Sequence, residues 1–191
     1  MNITSSYQVR IVNCSVNLID TVRIYQEALS YLIGVVSENW DAVKSITTGA
    51  LEQQRYIEKL VHGNKNREAK YQEFDKMFHK YPSYLRRATI TAAIGAVSSY
   101  RSNLANWETS PQGKQPSLPN AGFIYPCMYR TVMYKQTNEY EAKIKVFIRN
   151  TWDWITIKLR KSDVNYINKH CLEKKHCVPI LRKRGKEWFL D

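Results

Sequence analysis

The sequence lacks most of the features that identify secreted or membrane-bound proteins. Its 191 residues include no apolar run long enough to cross a bilayer, and the polar start MNITSSYQVR does not have the layout of a signal peptide. The four cysteines, Cys14, Cys127, Cys171 and Cys177, form no CxxC pair, so a disulfide framework is not expected. We therefore predict a cytoplasmic protein with reduced thiols and no membrane partner.

Sequence patterns for catalysis and cofactor binding are also missing. The chain has no GxxxxGK[ST], GxGxxG, GxSxG or HExxH. Carboxylates after Glu108 are few and fall mostly at predicted turns or solvent faces, whereas a metal-dependent nuclease needs several brought together. His170-Cys171 and His176-Cys177 offer four possible zinc ligands, but their spacing fits no standard zinc motif. We therefore predict no catalytic residue, no bound metal and no cofactor in this chain.

What the sequence does contain is an excess of positive charge. It has 29 Lys and Arg against 17 Asp and Glu, which gives a formal net charge of +12. Such an imbalance favours an anionic polymer as partner, and nucleic acid is the first candidate. Several aromatic residues are interleaved with the basic ones and could stack on unpaired bases: Tyr84, Tyr100, Tyr125, Tyr129, Tyr134 and Trp152. Charge alone does not distinguish RNA from DNA.

The first half of the chain is predicted to be a short strand followed by helices. Apolar and polar residues alternate from Tyr7 to Ile11, as in a half-buried strand. Apolar spacings of three and four then predict an amphipathic helix from Asn17 to Ser37. Shorter helical patterns follow at Trp40 to Ile46, Ala50 to Val61 and Asn66 to His79.

The longest helical pattern, Tyr81 to Glu108, separates this half from the rest. Pro82 suits a first-turn position. One stripe of the helix consists of Ile90, Ile94, Val97, Arg101 and Leu104. The adjacent face has only small residues, so the backbone of a helix or of a nucleic acid strand can approach it: Ala88, Thr91, Ala92, Gly95, Ser98 and Ser99.

The second half is rich in β-branched and aromatic residues. A loop with four Pro or Gly residues, from Glu108 to Asn120, comes first. Four strands, a short helix and a final hairpin are then predicted: Phe123 to Tyr129, Val132 to Lys135, Ala142 to Phe147, Trp152 to Leu159, Ser162 to Cys171, and VPILRKRGKEWFL with Gly185 in its turn. The sequence thus predicts an α+β fold: a small β-barrel, residues 1–16 and 109–191, with a helical bundle, residues 17–108, inserted after its first strand.

Four segments occur in order along this part of the chain: YPSYLRRATITAAIGAVSSYRSNLANWE, PSLPNAGFIYPCMYRTVMY, AKIKVFIRNTWDWITIKLRKSDVNYI and VPILRKRGKEWFLD. Together they resemble the N-terminal half of TnpB (OrfB), a transposon-encoded protein related to type V CRISPR effectors. The resemblance covers most of the chain and is strongest from Tyr81 to Asp191. It implies a wedge β-barrel interrupted by a helical recognition lobe.

The resemblance also implies a function. TnpB proteins are RNA-guided DNA endonucleases that bind an RNA from the transposon end and recognise a short adjacent motif in double-stranded DNA. They cut with a RuvC domain that follows a segment like GKEWFL, whereas this sequence stops at Asp191, before the position of the first catalytic Asp. We therefore expect a truncated recognition module that binds guide RNA and duplex DNA without cleavage.

Some partners and alternatives follow from the same comparison. Mg²⁺ is expected only together with a nuclease domain, and a separate RuvC-containing chain is one expected partner. Two other functions stay open. One is a nuclease-dead regulator that binds RNA or DNA, and the other is an inactive remnant of a transposase-associated gene.

The residues expected to bind nucleic acid form two groups. The first lies on the long helix: Tyr84, Arg86, Arg87, Thr91, Ser98, Tyr100, Arg101 and Asn103. The second lies on the basic strands and the turns beside them: Lys143, Lys145, Arg160, Lys161, Arg182, Lys183 and Arg184.

Overall fold

The computed structural model describes residues 6–14, 16–171 and 177–191. It confirms the α+β class, with helices and a six-stranded antiparallel sheet that curls into a half-barrel. The chain divides into two compact units, Met1–Arg23 with Tyr125–Asp191, and Ile24–Ile124. These bounds differ from those of the predicted lobes, and two side-chain contacts between distant parts of the sequence accompany the difference. Thr21 at the start of a helix accepts a hydrogen bond from the backbone N–H of Phe147 at 2.9 Å, and Gln26 donates to the carbonyls of Gly122 and Ile124.

The helices of the described chain lie close to the predicted positions. Their bounds are α1 (Ile19–Glu38), α2 (Trp40–Ser45), α3 (Ala50–Val61), α4 (Glu73–Met77), α5 (Ser83–Thr109) and α6 (Lys161–Cys171). The helix predicted over Asn66 to His79 is wrong in its first half. There the backbones of Asn64 and Arg67 bond to each other, and the Asn64 side chain accepts from the N–H of Asn66, which holds a turn instead.

The helical unit is held together by the apolar faces of its helices and by an aromatic cluster. Leu29, Leu32 and Val36 of α1 and Leu85 and Ile90 of α5 are fully buried, as the spacing of apolar residues predicts. The rings of Phe74 and Phe78 contact each other and those of Tyr31 and Tyr81, with centroids 4.9 to 6.3 Å apart and tilted or edge-on geometry. Such pairs add about 0.5–1.5 kcal/mol each beyond the area they bury.

The sheet of the other unit has the order β2-β3-β4-β1-β6-β5, with every pair antiparallel. The strands are β1 (Val9–Asn13), β2 (Tyr134–Asn138), β3 (Glu141–Ile148), β4 (Thr151–Leu159), β5 (Leu181–Arg184) and β6 (Glu187–Leu190). Arg149 and Asn150 join β3 to β4 with positive φ values of 48° and 61°, as a two-residue hairpin turn requires. Gly185, with φ 57°, occupies the predicted turn between β5 and β6.

The segment from Pro126 to Tyr134 runs between the two ends of the sheet. The N–H of Leu181 donates to the Pro126 carbonyl on the β5 side, and the N–H of Lys145 donates to the Met133 carbonyl on the β3 side. Met128 and Met133 are fully buried. The strand predicted over Phe123 to Tyr129 is wrong, because only an isolated bridge from Cys127 to Ile180 pairs there and the chain turns back at Thr131, where φ is 68°.

Candidate nucleic-acid interface

One side of β3 and β4 is apolar and the other is basic. Alternate residues such as Ala142, Ile144, Ile155 and Ile157 point to the inside of the half-barrel and are buried. The residues between them therefore lie on the outer side, because successive side chains of a strand point to opposite faces. This alternation places the charged residues of three adjacent strands next to one another.

The register shows which residues meet on the outer side. Lys135 of β2 lies directly opposite Lys143 of β3, and Lys145 of β3 lies opposite Trp154 of β4. Lys158 is on the same side of β4, opposite Glu141. We call Lys135, Lys143, Lys145, Trp154 and Lys158 the outer basic face. In the part of the chain that the structure describes, none of its four lysines has a carboxylate oxygen within 4 Å.

A shallow depression continues this face toward α6. It has a volume of about 430 Å³ and includes three cations, Lys158, Arg160 and Lys161, and one carboxylate, Glu141. The Lys161 ammonium lies 5.3 Å from the centroid of the Tyr140 ring. Arg160 is less available than Lys161, because its Nε lies 2.9 Å from a carboxylate oxygen of Asp163. Of the predicted site residues, Lys143 and Lys145 thus belong to the outer basic face, and Arg160 and Lys161 line the depression next to Lys158.

The predicted cations of the last hairpin have other surroundings. Arg182 and Arg184 lie 3.1 and 3.9 Å from a carboxylate oxygen of the buried Asp191 side chain. Lys183 lies opposite Trp188, with its ammonium 5.8 Å from a ring centroid of that residue. Asp191 thus neutralises part of this charge, and the hairpin offers less free positive charge than its sequence suggests.

The predicted site residues of α5 separate into a buried part and an accessible part. Arg86 is 7% exposed, and its guanidinium donates to Glu58 of α3 from Nη2 at 3.0 Å and from Nε at 3.3 Å. Arg87 is exposed but bonds to the same carboxylate at 3.2 Å. Arg86 is thus less available to a ligand than its sequence suggests, because its charge is buried against Glu58, where it joins α3 and α5.

The remaining candidates on α5 are accessible. None of the residues from Ser98 to Thr109 is buried, and this stretch includes Tyr100, Arg101 and Asn103. Tyr84 and Thr91 are exposed on the first half of the helix. The small-residue face is open at its centre, since a side chain built at Gly95 would meet no atom within 4 Å.

The sequence was compared with the profiles of known protein families, and one profile matches it. The sequence profile of the Aq_aa04 family matches residues 5–148, which is most of the chain. The chain belongs to the Aq_aa04 family. The matched range extends from before β1 to the end of β3, so it contains Lys135, Lys143 and Lys145. No curated protein and no solved structure matches the chain.

Three members of the outer basic face in this Aq_aa04 chain, Lys135, Trp154 and Lys158, are not among the residues predicted from the sequence to bind nucleic acid. The alternation of β4 would have placed Trp154 beside Lys145. Counting residues back from the turn after Asn138 would have placed Lys135 opposite Ile144, because the bulge between Gln136 and Asn138, which shifts the register by one residue, is not evident from the sequence. The aromatic residues proposed instead from this unit include two that are buried. Trp152 packs edge-on against Phe147, with ring centroids 5.7 Å apart, and Tyr134 is 9% exposed.

Burial also raises the pKa of two side chains near the sheet, Tyr134 and Cys127. It raises the pKa of the Tyr134 phenol, an effect that the charge of Arg130 partly offsets. It likewise raises the pKa of the Cys127 thiol. Both groups are therefore neutral near pH 7 and add no negative charge to the basic side of the unit.

The structure adds two observations on metals and membranes. Among residues 6–14, 16–171 and 177–191, no three His, Cys, Asp or Glu side chains come together as ligands of one ion. His176, which was considered with His170, Cys171 and Cys177, lies outside the described residues. No helix in the described chain has both the length and the apolar character needed to cross a bilayer.

Proposed function

We propose that this chain is a nucleic-acid-binding recognition module and that the outer basic face holds the phosphate backbone of its ligand. The observation that carries the proposal is the group of four lysines on three adjacent strands, none of which has a carboxylate partner among residues 6–14, 16–171 and 177–191. Salt bridges neutralise much of the charge elsewhere, at Arg86, Arg182 and Arg184. The positive charge of the outer basic face is thus less compensated than that of these three arginines.

The register gives a physical reason for a polyanionic ligand. Like charges directly opposite each other on two strands are destabilising, and Lys135 and Lys143 are such a pair. Water and salt screen the repulsion between two such exposed ammonium groups without removing it. A phosphate between two lysines converts this repulsion into attraction. Each phosphate that is neutralised also releases counterions, which further favours binding.

The partner that we propose is the RNA expected from the resemblance to TnpB, together with duplex DNA beside a short adjacent motif. Two features support this choice. The chain has the net charge of a nucleic-acid-binding protein, and a set of ordered segments resembles the part of TnpB that precedes the nuclease domain. The accessible second half of α5, with Arg101 and Asn103, is a further candidate contact region on the helical unit.

Charge removal at the face tests the proposal. In the triple variant Lys135→Gln, Lys143→Gln, Lys145→Gln, we expect weaker binding of a labelled 20-nucleotide RNA in fluorescence anisotropy. Titrations at several NaCl concentrations should show a smaller slope of log Kd against log salt. For three lost phosphate contacts the slope should fall by about 2 on a single strand and by about 2.7 on duplex DNA.

The matched control removes three exposed lysines from the helical unit, Lys44, Lys59 and Lys76. It has the same net charge as the first variant, so a non-specific effect of charge would lower the slope equally in both. Equal slopes in the two variants would contradict the proposal. An RNA encoded beside the gene should also bind more tightly than a scrambled RNA of the same length, and equal Kd values would contradict the guide-RNA part alone.

A further inference from the structure

Trp154 is the aromatic residue of the outer basic face. It is half-buried, lies directly opposite Lys145, and its ring centroid is 4.8 Å from the Lys135 ammonium. Trp152, two residues earlier on the same side of β4, is 9% exposed and packed against Phe147. Of the two β4 tryptophans, Trp154 is therefore the one whose ring a ligand can reach.

We propose that Trp154 is a stacking platform for an unpaired base, so that the outer basic face binds single-stranded nucleic acid. This inference rests on the proposed function and specifies its ligand at this site. Base stacking on an aromatic ring combined with phosphate contacts from flanking cations is a general mode of single-strand binding. Lys145 lies directly opposite Trp154 on β3, and the Lys135 ammonium lies over the ring from β2, so both lysines are close enough to contact the phosphates next to a stacked base.

Lys135 already covers part of the ring, so a base must displace it. An exposed cation–π contact changes an equilibrium constant by a factor of about 2 to 5. Stacking of one base on an aromatic side chain contributes a factor of about 5 to 140. The exchange therefore favours the base, and it frees the Lys135 ammonium to bind a phosphate. The Lys135 contact keeps the ring partly covered until a ligand arrives.

The same geometry predicts a preference for unpaired nucleotides. In a duplex both faces of each internal base are covered by neighbouring base pairs, so Trp154 can contribute only at an end or a bulge. Stacking is also indifferent to the sugar, since every base has a π-face. RNA and DNA single strands can therefore both use the platform, and RNA recognition commonly relies on such unstacked bases.

The experiment compares Trp154→Leu with wild-type protein on four probes of equal length. These are a 12-nucleotide RNA, the same sequence as single-stranded DNA, an abasic deoxyribose-phosphate strand and a blunt duplex. We expect Kd for the single strands to rise at least fivefold in Trp154→Leu, while Kd for the abasic strand and the duplex changes less than twofold. Trp154→Phe should retain most of the affinity, because a phenyl ring still stacks.

Trp188 supplies a matched control within the same unit. It too lies opposite a lysine, Lys183, whose ammonium is 5.8 Å from a ring centroid, and it belongs to β6 instead of the outer basic face. Trp188→Leu should leave all four Kd values within twofold of wild type. An equal loss of single-strand affinity in Trp188→Leu would overturn the assignment to Trp154.

The outcomes separate this inference from the function on which it rests. If the lysine variant loses binding while Trp154→Leu binds RNA and DNA strands as wild type does, the stacking site is refuted and the phosphate-binding face stands. If neither has an effect, both are refuted. Should Trp154→Leu fail to fold, wild-type protein decides, because equal Kd values for abasic and base-containing strands would overturn stacking. The strand type that shows the loss, RNA, DNA or both, identifies the ligand.

Discussion

Replacing Glu58 with Gln should destabilise the helical unit substantially. Glu58 of α3 binds the guanidinium of Arg86, and the side chains of the two residues are 16% and 9% exposed, respectively. Gln keeps the size and one oxygen acceptor but removes the negative charge. The variant therefore leaves the buried Arg86 cation without a counter-charge and leaves the folds of α3 and α5 otherwise unchanged.

The size of the effect follows from the burial of the pair. Removing one partner of a buried ion pair typically costs about 3–5 kcal/mol, because the other charge stays buried. Arg87 shares the carboxylate but is 49% exposed, so water replaces much of that contact. Since Gln still accepts a hydrogen bond, we expect a loss of about 3 kcal/mol. In a chain of this length that corresponds to a fall in Tm of about 6–12 °C.

Urea denaturation followed by circular dichroism measures this loss directly, and α3 offers a control for it. Glu52 lies on the same helix and pairs with Arg55 at 2.5 Å, but both side chains are about half exposed. Glu52→Gln should cost less than about 0.5 kcal/mol. The double variant Glu58→Gln, Arg86→Met should recover stability relative to Glu58→Gln alone. Equal, small effects of the two single variants would refute the structural role assigned to Arg86.

Two further predictions concern single residues of the helical unit. Gly95→Ala should raise the free energy of unfolding by about 1 kcal/mol in thermal melts, because Gly95 is exposed within α5 and has free space around it. Gly49→Ala should lower the free energy of unfolding, because φ at Gly49 is 122°, a value that alanine rarely adopts. Burial raises the pKa of Tyr81, so its contribution to stability is complete below about pH 10, the pKa of an unfolded tyrosine, and is lost as pH rises toward the folded pKa. Urea midpoints from pH 9 to 11 should therefore fall less steeply in Tyr81→Phe; identical slopes would contradict this.

Much of the secondary structure could be predicted because it depends on local patterns. The apolar spacing of α1 and α3 and the alternation in β3 and β4 place these elements within two residues of the observed bounds. Two elements differ from the prediction for different reasons. Near Cys127 the backbone is placed by partners about fifty residues later, since the N–H of Leu181 bonds to the Pro126 carbonyl and an isolated bridge joins Cys127 to Ile180. From Asn64 to Arg67 a local turn competes with the expected helix and shortens it.

The candidate site could be predicted only in part, for a related reason. Lys143 and Lys145 were expected as binding residues from their strand, but their neighbours Lys135 and Trp154 come from other strands. On α5 the sequence shows adjacent arginines, Arg86 and Arg87, as one basic pair. A helix turns by about 100° per residue, so one of them faces α3 and Glu58 while the other remains exposed.

The sequence by itself determined the net charge, the α+β class and the order of helices and strands, since these follow from composition and from the periods of apolar residues. The tertiary structure decided which charges are free. A charge is neutralised or left open by residues distant in the chain, such as Glu58 for Arg86 and Asp191 for Arg182. Strand register likewise placed Lys135, Lys145 and Trp154 together, because a shift of one residue would have turned each side chain to the other face.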